Sequence, residues 1–332
     1  MWIAAEDALL LRFFNVGDGD SALLEMRGRR PYRMLVDAGS SQREALAGGR
    51  ACAEYLEALG VKRLDAVWIT HLHLDHLGGL LEIVKRMPIG RVYSGYFPPA
   101  DASPIPQEPD AEKTVQGLID CLNAWRDTVR FLRQQGCALE EICASREISA
   151  PGGLNILCTA PDVPGMERQK RAWNRMFHGE PVSAEEKAAV SRLRNPASLI
   201  LRAEYGGRAA VLGADVYGEC WSAWQNAPCD LLKVPHHGDR KAMTQALAGA
   251  LRPAHAVISC GADYIPRKDR PSRDTADMLR SVGARVWYTG AYAGDALSPA
   301  RHWPWIAFQI EKNGRLSGPL TEDLMGKLEG FG

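Results

Sequence analysis

The stretch His71-Leu-His-Leu-Asp-His76 packs three histidines and one aspartate into six positions, directly behind the apolar run at 66–70. Side chains alternate along an extended segment, so His71, His73 and Asp75 point to one side of the chain, and His76 then opens the helix that follows. Asp75 sits where a helix N-cap would be, a bland role for an acid. The density of the cluster argues for metal instead. Imidazole and carboxylate together suit Zn, Mn or Fe, and two groups of ligands this close in sequence can serve two adjacent ions. One loop does not supply enough ligands for two ions, so the fold must bring further acids or histidines in from the ends of other strands.

The chain offers such strands. Short apolar or alternating runs at 9–16, 22–26 and 33–37 read as a strand meander, separated by Gly-Asp-Gly-Asp and by Arg-Gly-Arg-Arg-Pro. A helix at 50–59, a strand at 66–70, a helix at 76–85 and a strand at 91–94 form a βαβ-like unit. A long helix is predicted over 112–135, with Leu118, Leu122, Trp125, Val129 and Leu132 on one face. A strand at 154–159 follows, then a charged helical insertion at 165–192. Beyond it, strands at 198–204, 208–213, 231–234, 256–259 and 285–288 alternate with helices at 217–225, 241–251 and 273–282. The sum is a two-layered set of sheets flanked by helices. There is no repeat and no low-complexity tract.

Three strand ends carry the missing ligands. Asp37 ends Met34-Leu-Val-Asp, Asp215 ends Val211-Leu-Gly-Ala-Asp, and His236-His237 ends Leu231-Leu-Lys-Val-Pro-His-His. With these in view, the sequence resembles the metallo-β-lactamase superfamily, and within it the hydrolase domain of ComEC-type competence proteins. The stretches that carry the resemblance are Asn15-Val-Gly-Asp-Gly-Asp-Ser21, Leu35-Val-Asp-Ala-Gly39, His71-Leu-His-Leu-Asp-His76, Asn195-Pro-Ala-Ser-Leu199, Leu212-Gly-Ala-Asp215 and Val234-Pro-His-His-Gly238. Ile258-Ser-Cys-Gly261 and Arg270-Pro-Ser272 fall where the family has a Ser-x-Gly and a His-Pro-Ser element. The resemblance runs from about residue 9 to 288, interrupted near 98–130 and 163–193.

It implies one domain over 1–332, an αββα sandwich of the α/β class with helical insertions at those two places and a dinuclear site between the sheets. Carried over residue by residue, His71 and His73 bind the first metal, Asp75 and His76 the second, and Asp215 bridges them. His236 completes the second site, with His237 as the other choice. Asp37 orients the histidine loop from behind. The chain departs from the family pattern at three places. Asn195 stands near the usual third histidine of the first metal, as in the ComEC-like branch. Asp18 makes Gly17-Asp-Gly-Asp20 of that branch's Gly-Gln-Gly-Asp, and an arginine, Arg270, replaces the histidine of His-Pro-Ser, a fixed charge where a titratable group stood.

The implied chemistry is hydrolysis by a hydroxide shared between two divalent ions, Zn or Mn, with no protein nucleophile; no Ser-His-Asp arrangement is visible. Against Asp75 and Asp215, two such ions keep a net positive charge, which suits an anionic phosphodiester in nucleic acid or in a nucleotide-derived molecule. Asp75, Asp37 and Asp20 are the expected catalytic acids, and Asn195, Ser198, Lys233 and Arg270 the expected substrate contacts. Further cations lie at Arg267, Lys268 and Arg273 and, in the insertion, at Arg168, Lys170, Arg171 and Arg175, though charge runs are usually solvated faces. Trp173 and Phe177 interleave with the latter, at the spacing of a packed helix face. His178 is the one outlying histidine suspected as a replacement ligand; His255 and His302 read as ordinary. Two rival readings are a lactone, thioester or β-lactam hydrolase of the same fold and a metal-binding module without turnover.

Lys+Arg and Asp+Glu are equal at 40 each, so no global field draws the chain to nucleic acid or to an anionic membrane. Eight cysteines without a C-x-x-C pair, acids at Glu6 and Asp7 near the start, and no apolar stretch approaching the roughly 18 residues of a membrane span lead to the expectation of a cytoplasmic protein with reduced thiols and no membrane partner. The insertions are a candidate surface for a protein partner.

Overall fold

Strand β1 (Ala8–Phe14) is buried at every position, and its side chains divide by parity. Leu9, Leu11 and Phe13 enter the core between two sheets, whereas Leu10 and Phe14 enter the core beneath the helices on the other face. A strand covered on both sides reads as a continuous apolar run, as this one does. The structure, a computed structural model, describes residues 7–46, 48–221, 227–261, 269–290, 292 and 304–320.

In chain order β1 is followed by β2 (Ala22–Met26), β3 (Tyr32–Val36), α1 (Cys52–Ala58), β4 (Leu64–Ile69), α2 (Leu74–Leu77), α3 (Leu80–Arg86) and β5 (Ile89–Ser94). Next come α4 (Lys113–Gln134), β6 (Ala138–Glu141), β7 (Arg146–Ala150), β8 (Leu154–Thr159), α5 (Val163–Phe177), α6 (Ala184–Arg192), β9 (Ile200–Tyr205) and β10 (Arg208–Leu212). The remainder is β11 (Leu231–Lys233), α7 (Gln245–Leu251), β12 (His255–Ile258), α8 (Arg273–Ser281), β13 (Arg285–Tyr288), β14 (Trp305–Glu311) and β15 (Leu316–Leu320).

One sheet has the order β15-β14-β1-β2-β3-β4-β5-β6 and the other β13-β12-β11-β10-β9-β8-β7. Leu24, Met34, Trp68, Ile156, Leu201, Leu231 and Phe308 fill the space between them. Residues of α1, α3, α4 and α5 pack on the outside of the first sheet, and those of α7 and α8 on the outside of the second. This is the expected αββα layering. Strands β3 to β6 run parallel, as do β10 to β13, so each sheet gathers several strand ends on one edge.

The long helix α4 matches its predicted span, and Leu118, Leu122, Trp125, Val129 and Leu132 are all fully buried. It is part of the outer helical layer. Trp125 donates its Nε1–H to the carbonyl of Tyr96 at 2.9 Å while its ring fills the core. Trp125→Ala is expected to cost about 3–5 kcal/mol, read as a fall in the urea midpoint at unchanged slope. The second insertion differs from expectation: a turn with Gly179 at φ +70° splits it into α5 and α6, and Ser183 caps the latter by accepting from Glu186 N–H at 3.2 Å. Trp173 and Phe177 are buried in the core.

The helix expected from His76 begins earlier, at Leu74, so Asp75 lies in its first turn and His73 holds the N-cap position. It then breaks into α2 and α3 at Gly78-Gly79, where a Cβ on Gly79 would meet the carbonyl oxygen of Ala38 at 2.2 Å. The helix expected at 217–225 is a short 3₁₀ turn, Gly218–Cys220, within the described residues; 222–226 lie outside them. Four strands are unexpected. β6 and β7 are short and partly exposed and lack an apolar pattern. The β14–β15 hairpin closes the first sheet through β1, its alternation of Ile306, Phe308 and Ile310 falling beyond the last recognised motif.

Candidate metal centre

Four non-glycine residues with left-handed backbone stand at strand ends on one edge of the sandwich: Asp37 (φ +57°), Ala214 (φ +47°), His236 (φ +45°) and His237 (φ +52°). Such conformations are strained and persist where surrounding structure enforces them. Here they turn the chain sharply after β3, β10 and β11 and aim polar side chains into one place.

The loops behind that place are knit by backbone hydrogen bonds. Asp20 N–H donates to the Asp75 carbonyl at 3.0 Å, Gly39 N–H to Asp20 at 2.9 Å, and Ala38 N–H to His76. Gly19 permits this contact, because a Cβ there would lie 2.5 Å from the Asp75 oxygen. Arg194, itself buried, fastens the histidine loop from the insertion side: one guanidinium nitrogen donates to the Leu72 carbonyl at 2.9 Å and lies 3.3 Å from the Cys121 sulfur of α4.

At the centre, the two oxygens of Asp215 face different pairs of histidines. Oδ1 lies 3.3 Å from His76 Nε2 and 3.7 Å from His237 Nε2. Oδ2 lies 3.6 Å from His71 Nε2 and 3.8 Å from His236 Nε2. Asp75 Oδ2 joins the first pair, 3.5 Å from His237 Nε2, and His73 Nδ1 the second, 2.8 Å from His71 Nε2. His71, His76 and Asp215 form one group with potential ligand atoms within 4.8 Å of one another, and Asp75, His76 and His237 another. Of the two alternatives the sequence left beside Asp75 and His76, His237 is the one whose Nε2 lies near the Asp75 carboxylate. Two adjacent residues with left-handed backbone do not alternate as in a strand, and the His236 and His237 rings meet different oxygens of Asp215.

Three of these four imidazoles have the other nitrogen hydrogen-bonded, and that of His236 lies beside a carboxylate without a hydrogen bond. His76 Nδ1 is 2.8 Å from Asp37, whose carboxylate also accepts from Thr70 N–H at 2.9 Å and Thr70 Oγ1–H at 2.8 Å. His237 Nδ1 is 3.4 Å from Asp20 and 3.2 Å from the Ser259 carbonyl oxygen. His71 Nδ1 is 3.1 Å from Thr70 Oγ1, and His236 Nδ1 is 2.7 Å from Asp239. An acceptor at one ring nitrogen leaves the other bare toward a metal. The buried atoms His76 Nε2, His237 Nε2 and Asp215 Oδ1 have no hydrogen-bond partner, the condition in which a cation would complete them.

The electrostatics agree. Burial, with neighbouring positive groups, carries His71 well below its ordinary value and His73 down to about 3, the neutral form that binds a cation. Burial also lowers His76, but Asp215 and Asp37 outweigh it and carry that imidazole well above its ordinary value. For His237, Asp20 and Asp215 likewise outweigh burial. This half of the centre calls for positive charge. A third acidic grouping, Asp20 with Asp37 and His76, has its cation already in the Lys233 ammonium, which pairs with Asp20. Burial raises Asp20, yet Lys233, His237 and His76 bring it down to about 2.

Several expected roles change. Asp37 is 1% exposed and Asp20 is 5% exposed, and each stands behind an imidazole, the place the resemblance implied for Asp37. Ser198 is fully buried and donates to the Arg194 carbonyl at 3.1 Å, and Lys233 is enclosed with Asp20; neither is a substrate contact. Arg270 is also buried, 3.7 Å from Asp18. Asn195 stays at the centre, its Nδ2 3.2 Å from His236 Nε2. His178 sits apart at the end of α5, 3.7 Å from Asp101, and His255 packs against Trp287 and Phe308. Arg267, Lys268 and His302 lie outside the described residues. Sequence reasoning missed Asp239, Thr70, Arg194 and Tyr217; Asp239 follows the histidine pair by two residues and carried a local signal. Lys233→Met is expected to cost about 3–5 kcal/mol in chemical unfolding, because it leaves Asp20 a buried, unpaired carboxylate.

The family profile described as "Metallo-beta-lactamase superfamily" matches residues 16–101, the segment holding Asp20, Asp37 and the histidine loop. Over that segment, about a quarter of its length, the chain is similar to the metallo-β-lactamase superfamily. ComE operon protein 3 of Bacillus subtilis (strain 168) is 25% identical over 290 residues, which are 83% of this chain and 31% of that relative. The anti-Pycsar protein Apyc1 of Saccharibacillus brassicae is 34% identical over 85 residues, 26% of this chain and 29% of the relative. The chain thus spans under a third of either relative. Among solved structures, the metallo-β-lactamase fold protein YhfI from Bacillus subtilis aligns with a TM-score of 0.42 at 13% identity, covering 86% of this chain and 98% of the other. Among the described residues no helix is long and apolar enough to cross a membrane.

Proposed function

We propose that this chain is a metal-dependent hydrolase of phosphodiester bonds that holds two divalent ions, Zn or Mn. The observation that carries the reading is the division of Asp215, whose two oxygens each face a separate pair of imidazoles. One ion would be held by His71, His73, His236 and Asp215, the other by Asp75, His76, His237 and Asp215. A pair of ions so held supplies Lewis acidity and lowers the pKa of a water. The protein's part is orientation: Asp37, Asp20, Asp239 and Thr70 fix the ring directions, and Arg194 and the Gly19 contact hold the loop that carries His73 and Asp75. Two divalent charges against Asp75 and Asp215 leave a net positive centre, which favours a phosphodiester over a neutral lactone, thioester or β-lactam.

The test is a substrate panel with purified, metal-loaded protein: DNA and RNA oligonucleotides, cyclic dinucleotides, a chromogenic ester and a β-lactam. Cleavage confined to the phosphodiesters, and lost in Asp75→Ala, is the expected result. Turnover of the ester or lactam alone refutes the substrate class, and no turnover anywhere refutes the enzyme.

A further inference from the structure

The cations first expected to bind substrate are withdrawn from it, Lys233 against Asp20 and Arg270 against Asp18. A different cation stands beside the centre. Lys241 is exposed, and its Nζ lies over the ring of Tyr217, 5.4 Å from the centroid. That ring is 5.5 Å from the ring of His236, and the Tyr217 hydroxyl is 3.5 Å from Nδ2 of Asn195, which in turn is 3.2 Å from His236 Nε2. Among the described residues no carboxylate pairs with the Lys241 ammonium, which leaves its outward side open.

The arrangement is fixed by the backbone as well as by the side chains. Gly218 N–H donates to the Lys241 carbonyl at 2.8 Å, tying the turn after Tyr217 to Lys241. Asp239, whose Oδ2 lies 2.7 Å from His236 Nδ1, accepts from the Lys241 N–H at 2.7 Å through its other oxygen. A single carboxylate therefore lies against both the imidazole and the lysine backbone. A cation stacked on an aromatic face keeps its outward side free for an anion while losing little freedom on binding one.

We infer that Tyr217 and Lys241 form an anion subsite that takes a second phosphate of the substrate, next to the one being cleaved. This rests on the phosphodiesterase reading above. Two divalent ions against Asp75, Asp215 and a shared hydroxide would leave a net charge of +1, already balanced by the single negative charge of one phosphodiester. A further unpaired cation at the rim has nothing to answer on the scissile group and answers an additional charge. The substrate class that fits is a nucleotide chain or a nucleotide carrying more than one phosphate.

The experiment compares a dinucleotide bearing a 5′-phosphate with the same dinucleotide lacking it, in wild type, Lys241→Ala, Lys241→Arg, Tyr217→Phe and, as a control, the exposed Lys85→Ala. Wild type is expected to prefer the phosphorylated substrate. Lys241→Ala is expected to reduce that preference about tenfold through KM, with Lys241→Arg retaining it, Tyr217→Phe reducing it in part and Lys85→Ala leaving it as it is. Salt should erode the wild-type preference and leave the alanine variant flat. Equal losses on both dinucleotides, or none, overturn the subsite.

A calorimetric titration of metal-loaded protein with a nucleoside 3′,5′-bisphosphate separates this inference from the reading beneath it. If wild type cleaves neither dinucleotide, the phosphodiesterase reading falls. The titration still decides the subsite: binding about tenfold weaker in Lys241→Ala supports it, and equal or absent binding refutes it.

Discussion

Asp215→Ala is expected to lower hydrolysis by a factor on the order of 10⁴, the range in which removal of one member of a group acting as a unit falls. The reason is topological as much as chemical. Among the described residues, Asp215 is the carboxylate whose two oxygens face both halves of the centre, His71 and His236 on one side and His76 and His237 on the other. Its loss therefore empties two sites, whereas loss of any single histidine weakens one. Elemental analysis should show metal content falling from two ions per chain toward none. Folding is expected to survive, since the change takes an acid away from a centre where Asp20, Asp37 and Asp75 remain to be balanced, and a retained urea midpoint checks this. Activity within tenfold of wild type with both ions still bound would refute the dinuclear reading.

The second large effect separates two neighbours in the sequence. His236→Ala and His237→Ala are each expected to leave about one ion per chain, and to lose different ones. Titration with Co²⁺, followed by its visible absorption, should show the site of His71 and His73 lost in the first variant and the site of Asp75 and His76 lost in the second. The weakening should exceed the roughly 10–100-fold typical of altering a residue behind a ligand. Asp239→Asn supplies that smaller change, because Asp239 touches His236 only through Nδ1. If both histidine variants lose the same ion, the pairing with the two Asp215 oxygens is wrong.

How far the sequence foretold this centre depended on backbone conformation. His71, His73, Asp75, His76, Asp37 and Asp215 were legible because each follows an apolar strand, and packing alone seldom places an acid or an imidazole at a strand end. The choice between His236 and His237 was not legible, since it is made by two left-handed residues whose sequence carries no glycine to announce them. Lys233 was misjudged although the information was present: it shares parity with Leu231, which enters the core between the sheets, and so it had to point inward. The insertions were legible as helices from their period but not as a structural layer, because periodicity gives a buried face and does not say what buries it. Likewise the alternation after Trp305 was readable, yet nothing local specified that its partner was β1.

That partnership has a consequence for how the chain is made. Leu10 pairs with Gln309, so the strand in the middle of the first sheet waits for a neighbour roughly 300 residues away. At ribosomal speeds of about 5–20 residues per second that delay is roughly 15–60 s. Throughout it the edge of β1 that β14 will cover lies open, apolar and able to pair with another nascent copy. That open edge makes the emerging polypeptide a client for chaperones until β14 is made.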